Sequence, residues 1–212
     1  GPRRSRAGAA RRRAPPMSLA ALRTALAARA PGLAPLDEIR PGAMPPGGFL
    51  RAAVLVPLHA KDDAPHVLLT RRTRHLRRHP GQISFPGGRV DPEEEHLAAA
   101  LREAREEIGL DPAQAEVMGR LSETLVLTSA FCLTPWVATV PYPYPYAAAA
   151  HEVEEILHVP FAALLAPGAH RTERAEAWGL PVDVHFFSVG GDTIWGATAR
   201  ILAELLSIWR TL

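Results

Sequence analysis

Apolar residues recur along this chain with two different periods, and the switches between them outline its elements. Leucine and alanine repeat from Ser18 to Ala28 behind a serine placed to cap, which predicts a first helix. Five prolines between residues 31 and 48 disfavour regular structure and predict a connecting loop. Ala52–Leu58 and Val67–Thr70 are short apolar runs containing valine, predicted as strands joined through a polar His59–Pro65 turn. From about Pro92 to Ile108 the period becomes helical, with Leu97, Leu101, Ala104 and Ile108 as the stripe that would face a core. Val117–Leu121, Thr124–Leu127 and Leu133–Val140 read as strands again. His151–Ile156 begins a further element, and Phe161–Leu165 reads as a short helix. Val182–Ser188 and Thr193–Trp195 face each other across Gly190-Gly191 as a hairpin. Ala197–Arg210 closes the chain as an amphipathic helix with Ile201, Leu205 and Ile208 on one side. Strands and helices mix without strict alternation or repeats. The expected class is therefore α/β in the mixed, α+β sense, with a mixed β-sheet sandwiched between α-helices.

Composition changes this picture mainly at the N-terminus. The chain has 212 residues and a net charge of +2, yet residues 1–16 hold six arginines and no acid. The remainder is acidic, so the high pI belongs to the tail and argues for no nucleic-acid partner. The tail lacks apolar periodicity and is expected to be disordered, a leader ahead of Met17, with residues 17–212 as a single domain. No apolar run reaches the length of a membrane span and Cys132 is the single cysteine, which together point to a cytoplasmic protein without disulfides. Cys132, between Phe131 and Leu133, reads as a packed thiol. Pro141-Tyr142-Pro143-Tyr144-Pro145-Tyr146 cannot be a central strand, because alternate amide donors are missing. An extended loop is the plainer reading and a tyrosine-lined ligand wall the sharper one.

The chemistry concentrates in Gly88–Leu110, which holds six glutamates, three arginines and two glycines. At about 100° per residue, Glu103, Glu106 and Glu107 share roughly one quadrant of the helix. Carboxylates at this spacing repel one another. A hard divalent cation, which prefers oxygen ligands, relieves that repulsion. A glutamate run alone would suit a solvated acidic face. Arg102 stands four residues before Glu106, within pairing reach.

The fixed spacing of Gly88, Glu94, Arg102-Glu103-Ala104, Glu106-Glu107 and Gly109-Leu110 resembles the Nudix box, the metal-binding loop and helix of enzymes that hydrolyse nucleoside diphosphates linked to another group. Ala104 departs slightly, since a larger aliphatic residue is usual there. The resemblance implies the Nudix fold, Mg²⁺ or Mn²⁺ held by Glu103, Glu106 and Glu107 with the Gly87 carbonyl, and Glu94 steadying the loop. It also implies attack of water on phosphorus with one of these glutamates, Glu152 or Glu155 as base.

Upstream, Leu68-Leu69-Thr70, Arg72, Arg77, Gly81 and Phe85-Pro86-Gly87-Gly88 resemble the signature of the coenzyme A diphosphatases within that superfamily, with Thr73 where serine or alanine is usual. Glu152-Val153, Val159-Pro160 and the run from Ile194 to Leu202 are similar to later segments of the same family. The implied substrate is coenzyme A or acyl-CoA, with Arg72, Arg77, Gly81, Gly87 and Gly88 as its binding residues. Guanidinium groups suit phosphate oxygens through charge-assisted, often bidentate bonds. A solvated basic edge that balances the acidic helix is the alternative for Arg71, Arg74 and Arg78, and a structural role that for His79. Other substrates of the superfamily (ADP-ribose, dinucleotides, nucleoside triphosphates) and a non-catalytic ligand sensor remain open, as does assembly into a homodimer.

Overall fold

One strand is buried along most of its length and everything else is arranged about it. In the computed structural model, which describes residues 18–34, 45, 47–76, 79–126, 129–177 and 180–212, β1 (Leu50–Lys61) has eight successive buried residues. A run buried on both faces needs partners at both edges and cover above and below. β2 (Ala64–Arg72) pairs antiparallel at one edge, and β7 (Phe131–Thr139) pairs parallel at the other, from Leu50 opposite Phe131 to Leu58 opposite Thr139. β3 (Ile83–Ser84) and β5 (Glu116–Arg120) complete the order β3-β2-β1-β7-β5. β4 (Gly87–Arg89), β6 (Thr124–Val126) and β8 (Val153–Pro160) pair with β1, β7 and β2 respectively. A second sheet, ordered β11-β10-β9, contains β9 (His170–Ala177), β10 (Leu180–Val189) and β11 (Asp192–Trp195).

Helices cover both faces of the larger sheet, as expected. Alternate residues of β1 supply the two cores. Val54, Val56 and Leu58 pack with Leu22 and Leu26 of α1 (Leu19–Ala27), Phe161 of α3 (Phe161–Leu164) and Leu205 and Trp209 of α4 (Gly196–Trp209). Ala53 and Leu55 face α2 (His96–Ile108) through Ala99, Ala100, Ala104 and Ile108. Each leucine-sized side chain so buried contributes about 1.5–3 kcal/mol. The Ser18 hydroxyl caps α1 by accepting from Ala21 N.

Four details differ from the sequence reading. The turn between β1 and β2 is only Asp62-Asp63, both at positive φ, because short aspartates tolerate the left-handed region that a tight hairpin needs. α2 starts at His96, not near Pro92: Glu93 has φ 66°, and the Glu94 carboxylate accepts from Asp91 N, so residues 91–94 form a turn instead. Its buried stripe is made of alanines with Ile108, while Leu97 and Leu101 lie at its margins. β9 was invisible because its middle residues are exposed and charged, leaving no apolar alternation to read. Residues 1–16, most of the proline-rich stretch, Arg77 and Arg78 lie outside the described residues.

The far end of β1 carries a histidine cluster. His59 is 1% exposed, bonds His158 Nδ1 through Nε2 at 2.8 Å, and stacks on His66 and Tyr142. Burial first, then His158 and His66, pushes the His59 pKa down to about 4. The unfolded chain therefore takes up a proton between its ordinary value and about 4, and stability falls as pH drops through that window. We expect His59 to account for about 2 kcal/mol of acid destabilisation between pH 7 and pH 4.5. The check is urea midpoints of wild type and His59→Leu at both pH values, with a smaller acid loss in the variant.

Candidate active site

Small residues bring α2 down onto the crossing of β1 and β4, and the acidic residues follow. At Gly88 a Cβ would overlap the Glu103 carboxylate. At Gly87 a Cβ would overlap Ala53 O and come within 2.6 Å of Val54 Cα. Gly87 thus lets two backbones pass, whereas Gly88 leaves room for an acid. Ala104, fully buried against the sheet, keeps α2 close enough for that contact.

The three glutamates of the helix occupy different environments. Glu107 is 5% exposed, and burial, followed by repulsion from Glu103, pushes its pKa up to about 8 against the pull of Arg72 and the Gly87 amide. Glu103 is raised too, first by burial, with Glu106 and Glu152 adding and Arg102 opposing. Glu106 stands largely in solvent, 3.5 Å from Arg102. Arg102 clamps the loop: it bonds both Glu94 oxygens at 2.9 and 3.0 Å, Glu103 at 2.9 Å and the Arg89 carbonyl at 3.1 Å. That clamp holds the Glu94 carboxyl down at about 2 and raises the pKa of Arg102.

Among the described residues no three histidine, cysteine or acidic side chains converge in a set already shaped for a metal. The donor chemistry nevertheless fits a hard divalent cation. Glu103 and Glu107 are adjoining, desolvated and mutually repelling, and a cation offsets both penalties. Gly88 leaves Glu103 the space it occupies beside the strand.

Glu152 sits on the loop entering β8, half-exposed and electrostatically coupled to Glu103 and Glu107. Thr73 fixes that loop: its amide donates to the Glu152 carbonyl at 2.9 Å and its hydroxyl to the His151 carbonyl at 3.4 Å. Glu155 is engaged elsewhere, by Arg71 at 3.1 Å.

Consecutive arginines part company at a bulge in the β2–β8 pairing between Arg71 and Arg72. Arg71 forms a bidentate pair with Asp192 and ties β2 to β11. Arg72 enters the cleft, where its Nε is buried without a hydrogen-bond partner among the described residues. Gly81, at φ 68°, turns the chain so that its amide meets the Arg72 carbonyl while the Arg72 amide meets Gln82. Arg74 is exposed, 3.9 Å from Glu154. His79, Gln82, Ser84, Gly87 and Gly88 line the same cleft as Arg72.

The cleft has a volume of about 690 Å³; it reaches Gly87 and Gly88 beside the acidic helix, but none of Glu103, Glu106, Glu107 or Glu152 lines it. Its far wall comes from elements given no such role in the sequence reading: Arg174, Val182 and Val184 of β9 and β10, and Trp195, Thr198 and Arg200 at the start of α4. The last three fall in the run from Ile194 to Leu202, whose family likeness was the one signal available. The tyrosine-rich segment is a loop that packs elsewhere. Tyr144 bonds Asp111 N and Gly109 O, and Tyr146 bonds Pro141 O; none of its tyrosines lines this cleft. Cys132 is a half-buried thiol whose pKa burial pushes up to about 11, unsuited to a nucleophile.

Residues 49–178 match the NUDIX domain model, well over half of the chain. The chain belongs to the Nudix family and is a hydrolase acting on pyrophosphate bonds. It is 37% identical over 162 residues to the uncharacterized Nudix hydrolase NudL of Enterobacter sp. (strain 638), covering 73% of this chain and 80% of that protein. The corresponding protein of Yersinia pestis (strain Pestoides F) is 36% identical over 156 residues, with 73% and 77% covered. A MutT/nudix family protein from Enterococcus faecalis shares the fold at 20% identity and a TM-score of 0.53, over 75% of this chain and 61% of that one. No helix among the described residues is long and apolar enough to cross a membrane.

Proposed function

We propose that the protein hydrolyses the pyrophosphate bond of coenzyme A or its acyl forms, giving 3′,5′-ADP and 4′-phosphopantetheine or the acyl derivative. The observation that carries this reading is the position of Arg72. The signature segment Leu68–Gly88 delivers an arginine with a buried, unpartnered nitrogen into a cleft that begins at the glycines beneath the acidic helix. Arg72 lines the cleft, where its guanidinium would pair with an anionic substrate. The apolar part of the wall, from Leu125, Val126, Phe131, Val182 and Val184, suits a pantetheine arm or acyl chain.

Glu103 and Glu107, with Glu106 and the Gly87 carbonyl, are the residues that would hold Mg²⁺ or Mn²⁺. A cation there supplies Lewis acidity, neutralising phosphate charge and acidifying water. Arg102 keeps Glu103 and the 91–94 turn in place. Arg72, with Arg77 of the same segment, binds phosphate oxygens. Glu152 is the base we assign, since no arginine or lysine engages it among the described residues whereas Arg71 holds Glu155.

The test is incubation with Mg²⁺ and a panel of coenzyme A, ADP-ribose, NADH and dGTP, with products identified by mass. Coenzyme A should give the two half-molecules, and exhaustive chelation should abolish turnover; preference for another panel member would overturn the substrate. Arg72→Ala should raise KM for the preferred substrate about thirtyfold, the loss of about 2 kcal/mol of charge-assisted bonding. Steady-state kinetics at saturating metal measure it, and an unchanged KM would make Arg72 a bystander.

A further inference from the structure

The cleft contains a second place where an anion fits, built on elements other than the glycine loop. α4 begins at its wall, with Gly196, Ala197 and Thr198 all lining the cleft. The helix runs for 14 residues, its N-cap Trp195 offers no side-chain cap, and its first turn holds no acid. The amides of a first helical turn have no partners within the helix and carry the positive end of its dipole. Thr198 is an independent sign of a ligand. It is 92% buried by its 8% exposure, lines the cleft, and its hydroxyl makes no hydrogen bond with any described residue. Arg200 lines the same wall and forms no ion pair among the described residues, whereas neighbouring Arg174 is paired with Asp183 at 3.2 Å. Trp195 is a large aromatic residue left 40% exposed at the same edge.

We propose that the first turn of α4 is a second phosphate subsite, which takes a phosphate monoester on the nucleoside half of the substrate while the pyrophosphate lies at the Gly87-Gly88 loop. Backbone amides, the Thr198 hydroxyl and Arg200 hold the monoester, and the base lies against Trp195. Helix N-termini bind phosphate in this way, and a hydroxyl and a guanidinium add directed donors. Assigning the monoester to the 3′-phosphate of coenzyme A rests on the proposed function; the subsite itself does not.

Calorimetric titration of adenosine 3′,5′-bisphosphate and of AMP separates the two questions. Wild type should bind the bisphosphate at least about tenfold more tightly than AMP. Thr198→Val, which keeps the buried shape, and Arg200→Gln, on an exposed face that folding tolerates, should each remove most of that ratio. The ratio of kcat/KM for coenzyme A over dephospho-coenzyme A should fall in parallel. Equal affinity of wild type for the two nucleotides overturns the subsite, as does a loss that is equal for both nucleotides in the variants. Should the protein fail to turn over coenzyme A at all, the substrate assignment falls and the nucleotide titration still decides the subsite.

Discussion

Glu107→Gln is expected to lower kcat by about a hundredfold or more while leaving the protein at least as stable. The amide keeps the shape of the side chain and removes one negative charge from the pair that Glu107 forms with Glu103. In the proposed mechanism that charge would hold the cation that stabilises the reacting phosphate, so its loss should fall on kcat while substrate binding through Arg72 is expected to survive. Stability moves the other way. Burial holds the Glu107 carboxyl at about 8, so in metal-free protein its contribution to stability is intact below its ordinary value and is lost as pH rises toward 8. Melting in EDTA at pH 8.5 should therefore show no decrease for the variant. A kcat within a few fold of wild type at saturating metal would remove Glu107 from the chemistry.

Gly87→Ala and Gly88→Ala should separate folding from catalysis. At Gly87 the added carbon meets backbone, Ala53 O and Val54 Cα, which cannot move without parting β4 from β1. Overpacking against an immobile wall costs about 3 kcal/mol. For a domain of this size that is a fall of about 6–12 °C in Tm. At Gly88 the added carbon meets the end of the Glu103 side chain, which can swing aside. Gly88→Ala should keep most of the stability and lose activity, because the displaced carboxylate leaves its place beside Glu107. Thermal melts paired with initial rates measure both; similar melting temperatures for the two variants would show that the crossing is looser than the contacts describe.

Elements with strong local patterns were legible from residue order. The leucine and alanine repeat of α1, the hairpin turning at Gly190-Gly191 and the amphipathic α4 appear close to where their spacing puts them. The acidic helix was recognised because contacts at three and four residues are local, and so was the arginine segment that runs into it. β4 was missed because three residues hold no period. The start of α2 was misplaced because the Asp91–Glu94 turn is held by Arg102, two helical turns away.

Glu106 and Glu107 mark the boundary most plainly. They are the same residue type, adjacent, on the same helix, and spacing alone assigns both to one acidic face. In the folded chain Glu106 is in solvent and Glu107 is buried with a pKa near 8. Arg71 and Arg72 divide likewise, one closing an ion pair with Asp192 and the other lining the cleft with its Nε unbonded among the described residues. Residue order determined that carboxylates and guanidiniums would be present at usable spacing, because helical and strand periods are properties of neighbouring residues. Only the tertiary structure decided which of them lose their water, because desolvation depends on what packs across from a side chain, and at Glu107 that includes Gly87 of β4.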